Sequence, residues 1–181
     1  TSGGAFLTEW GGYGTGAGQM SSPTDVAVSP DGYVYVVDTA NNRVQRFTST
    51  GAFLAAWGSQ GSGPGQFQTP LGIEVDRAGR VYVADSQNHR IQVFAPDGDL
   101  LAVWGGYGTA EGQFNTPVSL AFDASDNLYV VDHGNRRIQR RLHDPHDAVP
   151  PGGGQTGDAD GDGLPDEWEA AHGLNPLRAT G

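Results

Sequence analysis

The chain has 181 residues, 36% of them apolar, which is enough for a core if they are patterned, and its 29 glycines imply many turns. With 21 acidic and 10 basic side chains it carries a formal charge of −11. That balance argues against nucleic acid, where phosphate neutralisation by Lys and Arg supplies most of the affinity, and against an anionic membrane surface.

The charge is uneven: residues 1–144 hold −5 and residues 145–181 hold −6, so a short tail carries more than half of it. There is no cysteine to report an oxidising compartment, and no apolar stretch approaches the roughly 20 residues that span a bilayer. All ten basic residues are Arg. The chain opens at Thr1 without an initiator Met, as expected of a processed or excised product, so the missing leader has no weight.

Internal repetition dominates the sequence. Gly4-Ala5-Phe6-Leu7 returns as Gly51-Ala52-Phe53-Leu54 and, loosely, as Gly98-Asp99-Leu100-Leu101, an offset of 47 residues. Trp10, Trp57 and Trp104 keep that offset, as do Pro23, Pro70 and Pro117, and Asp38, Asp85 and Asp132. Asn41, Asn88, Asn135 and Arg43, Arg90, Arg137 keep it too.

In chain order, Thr1–Trp10 reads as the fourth strand of a preceding repeat. Each copy then divides into four short runs. In the second these are Leu71–Asp76, Val81–Asp85, Arg90–Ala95 and Asp99–Trp104, with turn-forming residues between them. Runs of five or six residues rich in Val, Ile, Tyr and Phe predict strands, and so a four-stranded antiparallel meander. The second strand, Val34-Tyr35-Val36-Val37 and its copies, is apolar throughout, which requires cover on both faces. Blades of a β-propeller, each sandwiched between neighbours, meet that requirement. The third copy ends Ile138-Gln139-Arg140-Arg141, with Arg141 where Phe47 and Phe94 stood, and no fourth strand follows.

Pro70-x-Gly72-x-x-x-Asp76, Gly79-x-Val81-Tyr82-Val83-Ala84-Asp85 and Asn88-His89-Arg90-Ile91-Gln92-Val93-Phe94 closely resemble the NHL repeat, as do the other two copies, over residues 4–144. The resemblance implies an all-β fold, a partial β-propeller of NHL-type four-stranded blades. Its three blade equivalents are 4–50, 51–97 and 98–144. It also implies propellers, commonly six-bladed, that bind proteins, RNA or carbohydrate-like ligands, a minority being lyases or hydrolases. Three blades are fewer than the usual four to eight. Either the chain is a fragment whose upstream blades are missing, or two chains pair as a homodimer that closes a six-bladed ring. The first is favoured because natural chains seldom leave large apolar faces uncovered.

Residues 145–157 read as a Pro/Gly linker. Residues 158–177 follow with acidic side chains at loop positions 1, 3, 5, 9 and 12 and Gly163 at position 6, an EF-hand loop pattern. Calcium takes six to eight oxygens, and Asp158, Asp160, Asp162, the Leu164 carbonyl, Asp166 and Glu169 would supply them. Pro165 suits the first turn of a helix over Asp166–His172, with Gly173 at its end and Pro176 beyond. No entering helix is expected, because Gly152–Gly157 precedes the loop. With Gly173-Leu174-Asn175-Pro176 the segment resembles the thrombospondin type 3-like calcium repeats of secreted bacterial proteins. The resemblance implies calcium, secretion and a bacterial origin, with affinity on the order of 10⁻⁴–10⁻³ M for an extracellular module.

The other candidates read mainly as architecture. The Asp-x-x-Asn-x-Arg signature recurs in every blade, as turn-capping Asp and Asn and strand-spanning Arg would. The three Trp read as blade packing, and the five His show no ligand spacing. Arg136, Arg137, Arg140 and Arg141 form a basic cluster that reads as a solvated blade edge. The expected function is an extracellular or cell-surface binding module, its propeller face taking a protein or carbohydrate ligand and its tail a structural calcium. The glycine-rich connections Gly11–Gly18, Gly58–Gly65 and Gly105–Gly112 are its adaptable loops. The alternative is a lyase or hydrolase with its site in the central channel. A third reading has the chain only spacing other domains.

Overall fold

The structure, a computed structural model, describes residues 4–142. The chain divides into two units, Thr1–Leu142 and His143–Gly181. The expected linker, the expected calcium-loop residues Asp158, Asp160, Asp162, Leu164, Asp166 and Glu169, and the helix expected after them lie outside the described residues.

The first unit is all-β, a partial β-propeller. Blade 1 is the sheet of β1 (Pro23–Val28), β2 (Val34–Asp38), β3 (Arg43–Phe47) and β4 (Phe53–Trp57). Blade 2 consists of β5 (Pro70–Val75), β6 (Val81–Asp85), β7 (Arg90–Phe94) and β8 (Leu100–Gly105). Blade 3 has three strands, β9 (Pro117–Phe122), β10 (Leu128–Asp132) and β11 (Arg137–Arg141). All pairings within the blades are antiparallel.

Each second strand leads into one 3-10 turn, ended by Asn42, His89 or Arg136 in the left-handed conformation. The 1–2 turns close on Asp or Ser: Asp76 accepts the amides of Ala78 and Arg80, and Asp123 those of Ser125 and Asn127. Four-stranded meanders therefore follow from local chemistry, and the apolar second strands decide how they stack. The strands β2 and β6 are buried along their whole length.

Two cores fill the spaces between blades. Tyr35, Val37 and Val44 of blade 1 pack on Ile73, Val75, Val81, Val83 and Phe94 of blade 2, with Phe67 beside them. Tyr82, Ala84, Ile91 and Val93 of blade 2 repeat the contact on Leu120, Leu128, Val130 and Phe114. Every blade thus has two unlike faces, a leading one and a trailing one, and a blade-to-blade contact joins a trailing face to the next leading face.

The expected N-terminal strand does not form among the described residues: Gly4–Trp10 pairs with no sheet, and Phe6 and Leu7 are exposed. A strand needs a hydrogen-bonding neighbour, and this segment has none here. Its Trp10 nonetheless stands where a fourth-strand Trp should. It packs on Phe47 at 6.2 Å and against Gly51, as Trp57 packs on Phe94 at 5.8 Å and against Gly98. At the third position Arg141 lies 4.1 Å above the Trp104 ring, a cation–π contact that replaces the aromatic pair.

Candidate functional site

The repeated signature builds one buried network per blade. Asp38 accepts hydrogen bonds from the Ser21 amide (2.7 Å), Asn41 Nδ2 (2.8 Å), Arg43 Nε (2.8 Å) and Gln45 Nε2 (3.2 Å). Arg43 spends its remaining nitrogens on the carbonyls of Thr15, Gly16 and Gln19. Asp85 with Arg90, and Asp132 with Arg137, repeat the arrangement. Burial pushes the Asp132 carboxyl up, but the Asn115 amide, Asn135, Arg137 and Gln139 outweigh it and leave it below the usual range.

These Asp residues were expected to cap the adjoining turns, and they do not; no side-chain cap bond reaches any of the three. They reach instead to the glycine-rich connection before their blade, stapling it down. Sequence reading missed two partners, Gln45/Gln92/Gln139 and Gln19/Gln66/Gln113. The signal was present, since both sets keep the 47-residue offset.

The stapled connections form one face of the propeller together with the 2–3 turns. The Ala40 amide bonds the Ser21 carbonyl, Gln87 the Gln68 carbonyl, and Gly134 the Asn115 carbonyl. On this face the equivalent positions Tyr13, Gln60 and Tyr107 point outward. Each is fixed by a backbone bridge to Met20, Phe67 or Phe114 respectively. Tyr13 is 89% and Tyr107 71% exposed, although each sits in a pinned loop. The Tyr107 ring meets His89 edge-on at 4.9 Å.

His89 has a structural task as well, because its Nδ1 accepts the Thr116 amide at 3.0 Å, which places the proton of the neutral ring on Nε2. Asn42 clamps Thr69 in the same way at 2.9 Å. Thr69 and Thr116 stand just before a proline at φ 52° and 54°. A left-handed β-branched residue is strained, and the two clamps hold it in place.

The first strands of successive blades lie side by side, β1 against β5 and β5 against β9. Thr24 Oγ1 donates to the Leu71 carbonyl, and Asp25 Oδ2 accepts the Ile73 amide at 3.0 Å. Glu74 Oε1 accepts its neighbour Val75 amide. Burial pushes the Glu74 carboxyl above its usual range, and the Asp25 charge adds to that. Among the described residues no cluster of three His, Asp or Glu side chains could hold a metal ion. His133 is exposed on its 3-10 turn, while His143, His146 and His172 lie outside the described residues. Of the arginine cluster, Arg136, Arg140 and Arg141 are exposed at the edge of blade 3 as expected, Arg141 also stacking on Trp104 and Arg140 lying 6.0 Å above Tyr129, while Arg137 is bound to Asp132.

Residues 20–47 and 67–94 match the family model of the NHL repeat. No curated protein matches the chain. Among solved structures, a catalytically inactive virginiamycin B lyase from Staphylococcus aureus, with quinupristin, superposes with a TM-score of 0.54 at 20% identity. The alignment covers 72% of this chain and 40% of that one. An auxiliary nutrient binding protein from Bacteroides thetaiotaomicron aligns with a TM-score of 0.51 at 18% identity, covering 64% of this chain and 36% of that one. These likenesses establish the β-propeller fold, of which the chain spans about two fifths of each relative's length.

Proposed function

We propose that this protein is an extracellular or cell-surface binding module that takes a protein or carbohydrate ligand on the loop face of its propeller. The observation that carries the reading is the pair of exposed Tyr13 and Tyr107 rings, at equivalent positions on loops held by fully engaged Asp–Asn–Arg–Gln networks. An exposed ring on a pinned backbone offers a large contact area with only two side-chain torsions to fix, which favours its use as an anchor. That an auxiliary nutrient binding protein has the same fold supports the reading. On the first strands, Asp25 and Glu74 accept backbone amides, which gives both carboxylates a structural task. The acidic spacing of Asp158, Asp160, Asp162, Asp166 and Glu169, with the Leu164 carbonyl, supports a structural calcium in the tail.

A glycan and protein array screened with the wild-type chain, followed by titration of any hit against Tyr13→Ala and Tyr107→Ala, tests this. Loss of an anchoring aromatic ring should cost about 2 kcal/mol, roughly 30-fold in affinity. Binding unchanged in both variants would remove the site from this face. For the tail, replacing Asp160 and Asp162 with Ala should abolish calcium binding by calorimetry while leaving the β-sheet signal intact.

A further inference from the structure

The face that carries Tyr13 and Tyr107 differs in charge from the opposite one. Its connections and 2–3 turns, residues 11–22, 39–43, 58–69, 86–90, 105–116 and 133–137, hold Glu111 and Arg136 as exposed charges, one of each sign. Arg43, Arg90 and Arg137 also lie there, but each bonds its own aspartate and three loop carbonyls, which commits all of its nitrogens. At the other end of the strands, Asp31, Asp97 and Asp99 stand exposed on or beside the 1–2 and 3–4 turns. In a chain of formal charge −11, the loop face is thus close to neutral and is built from Gly, Ser, Thr, Asn, Gln and Tyr. Among the described residues, Tyr13 and Tyr107 are the large exposed apolar side chains of this face, so its rings stand singly and form no apolar patch.

The junctions between blades can be compared position by position. At the junction of blades 2 and 3, His89 ends the 2–3 turn and Tyr107 is the third residue of the connection Gly105–Gly112, with the two rings 4.9 Å apart. Nδ1 of His89 accepts the Thr116 amide at 3.0 Å, so Nε2–H remains as a donor, and it has no partner among the described residues. At the junction of blades 1 and 2 the same positions hold Asn42 and Gln60. There Asn42 Oδ1 makes the same clamp on the Thr69 amide, at 2.9 Å. An asparagine therefore suffices for the clamp. What the imidazole adds is a donor of fixed tautomer beside an exposed aromatic ring.

We propose that the ligand of the loop face is a neutral glycan, seated with one sugar ring on Tyr107 and a hydroxyl of that sugar on the His89 Nε2–H. This rests on the loop-face reading above and narrows it to one class of ligand. A sugar presents C–H groups on the face of its ring and hydroxyls around the rim, so it fits an aromatic platform with a hydrogen-bond donor at its side. It has no charge to neutralise, and the face has almost none to offer. A nucleic acid or an acidic polysaccharide is recognised through free Arg or Lys, and Arg136 is the one exposed cation of this face. A protein partner is held at a contiguous core of aromatic, Met and Arg side chains, which two separate tyrosines do not form.

Calorimetric titration of the full chain with soluble neutral hexasaccharides of glucose, mannose, xylose and N-acetylglucosamine, and with hexagalacturonate as the anionic counterpart, tests the proposal. A neutral sugar is expected to bind and hexagalacturonate to stay free. His89→Asn keeps the clamp that Asn42 already makes, so its melting temperature should hold while its affinity for the bound sugar falls about 10-fold. Conversely, Asn42→His combined with Gln60→Tyr builds the same pair at the junction of blades 1 and 2, and should raise the number of short oligosaccharides of that sugar bound per chain. Unchanged affinity in His89→Asn, unchanged stoichiometry in the double variant, or preference for hexagalacturonate would each overturn the proposal. So would a protein ligand that is lost in Tyr107→Ala while no sugar binds, although the loop face itself would stand. Sugar binding that survives both Tyr13→Ala and Tyr107→Ala would overturn the loop-face reading together with it.

Discussion

Blade 2 and blade 3 are copies of one repeat in different surroundings. Ile91 and Ile138 sit at equivalent points of equivalent strands; the first is fully buried and the second 60% exposed. The aspartate networks do not share this difference, since Asp85 and Asp132 are both fully buried and hold the same partners. A blade therefore makes its polar staple alone, from its own turn and its own preceding loop. Its apolar faces become core only when another blade covers them.

Breaking the staple should have the largest effect. Asp85→Ala strips the Gln68 amide, Asn88, Arg90 and Gln92 of their shared acceptor and should cost about 3–5 kcal/mol in denaturant unfolding. Asp132→Ala should cost less, because the Arg137 side chain is 31% exposed against 12% for Arg90 and can turn to water.

Truncating the apolar faces sharpens the contrast. Ile91→Ala should cost about 2–5 kcal/mol, whereas Ile138→Ala in a single chain should stay within about 0.5 kcal/mol. Equal losses would mean that blade 3 is already covered. The closeness of blades 2 and 3 can be probed at Gly72, where an added Cβ would lie 2.6 Å from the Val118 carbonyl oxygen. Because that neighbour is backbone, Gly72→Ala should cost about 1–3 kcal/mol.

The smallest effect concerns pH. Glu74 holds its proton more tightly folded than unfolded, so its contribution to stability is lost as pH rises through and just above the usual glutamate range near 4.5. Glu74→Gln should remove that part of the slope in thermal melts taken from pH 4 to 7. A slope of the same size in the variant would place its origin elsewhere.

Much of this was readable beforehand because the repeat fixes turn chemistry and strand patterning locally. The continuous apolar run at Val81–Ala84 announced cover on both faces, and β6 is buried throughout. The Asp, Asn and Arg positions stood out by their offset. What they do there was not legible, since Asp38 bonds the Ser21 amide seventeen residues away, and no local rule names that partner. Gln45 escaped notice because a glutamine within an apolar strand looks like an ordinary outward residue, whereas it is buried against Asp38. The N-terminal strand was legible as sequence and is absent as pairing, because pairing belongs to a neighbour as much as to the segment. Tyr13 and Tyr107 were hidden in glycine-rich runs, where only the folded loops show which rings point outward.

Hydrogen exchange along β7 and β11, equivalent strands of blades 2 and 3, measured by mass spectrometry, tests most directly whether a blade's apolar faces become core only when another blade covers them. Slow exchange is expected in β7, whose Ile91 is fully buried, and markedly faster exchange in β11, whose Ile138 is 60% exposed. Equal protection of the two strands would contradict it.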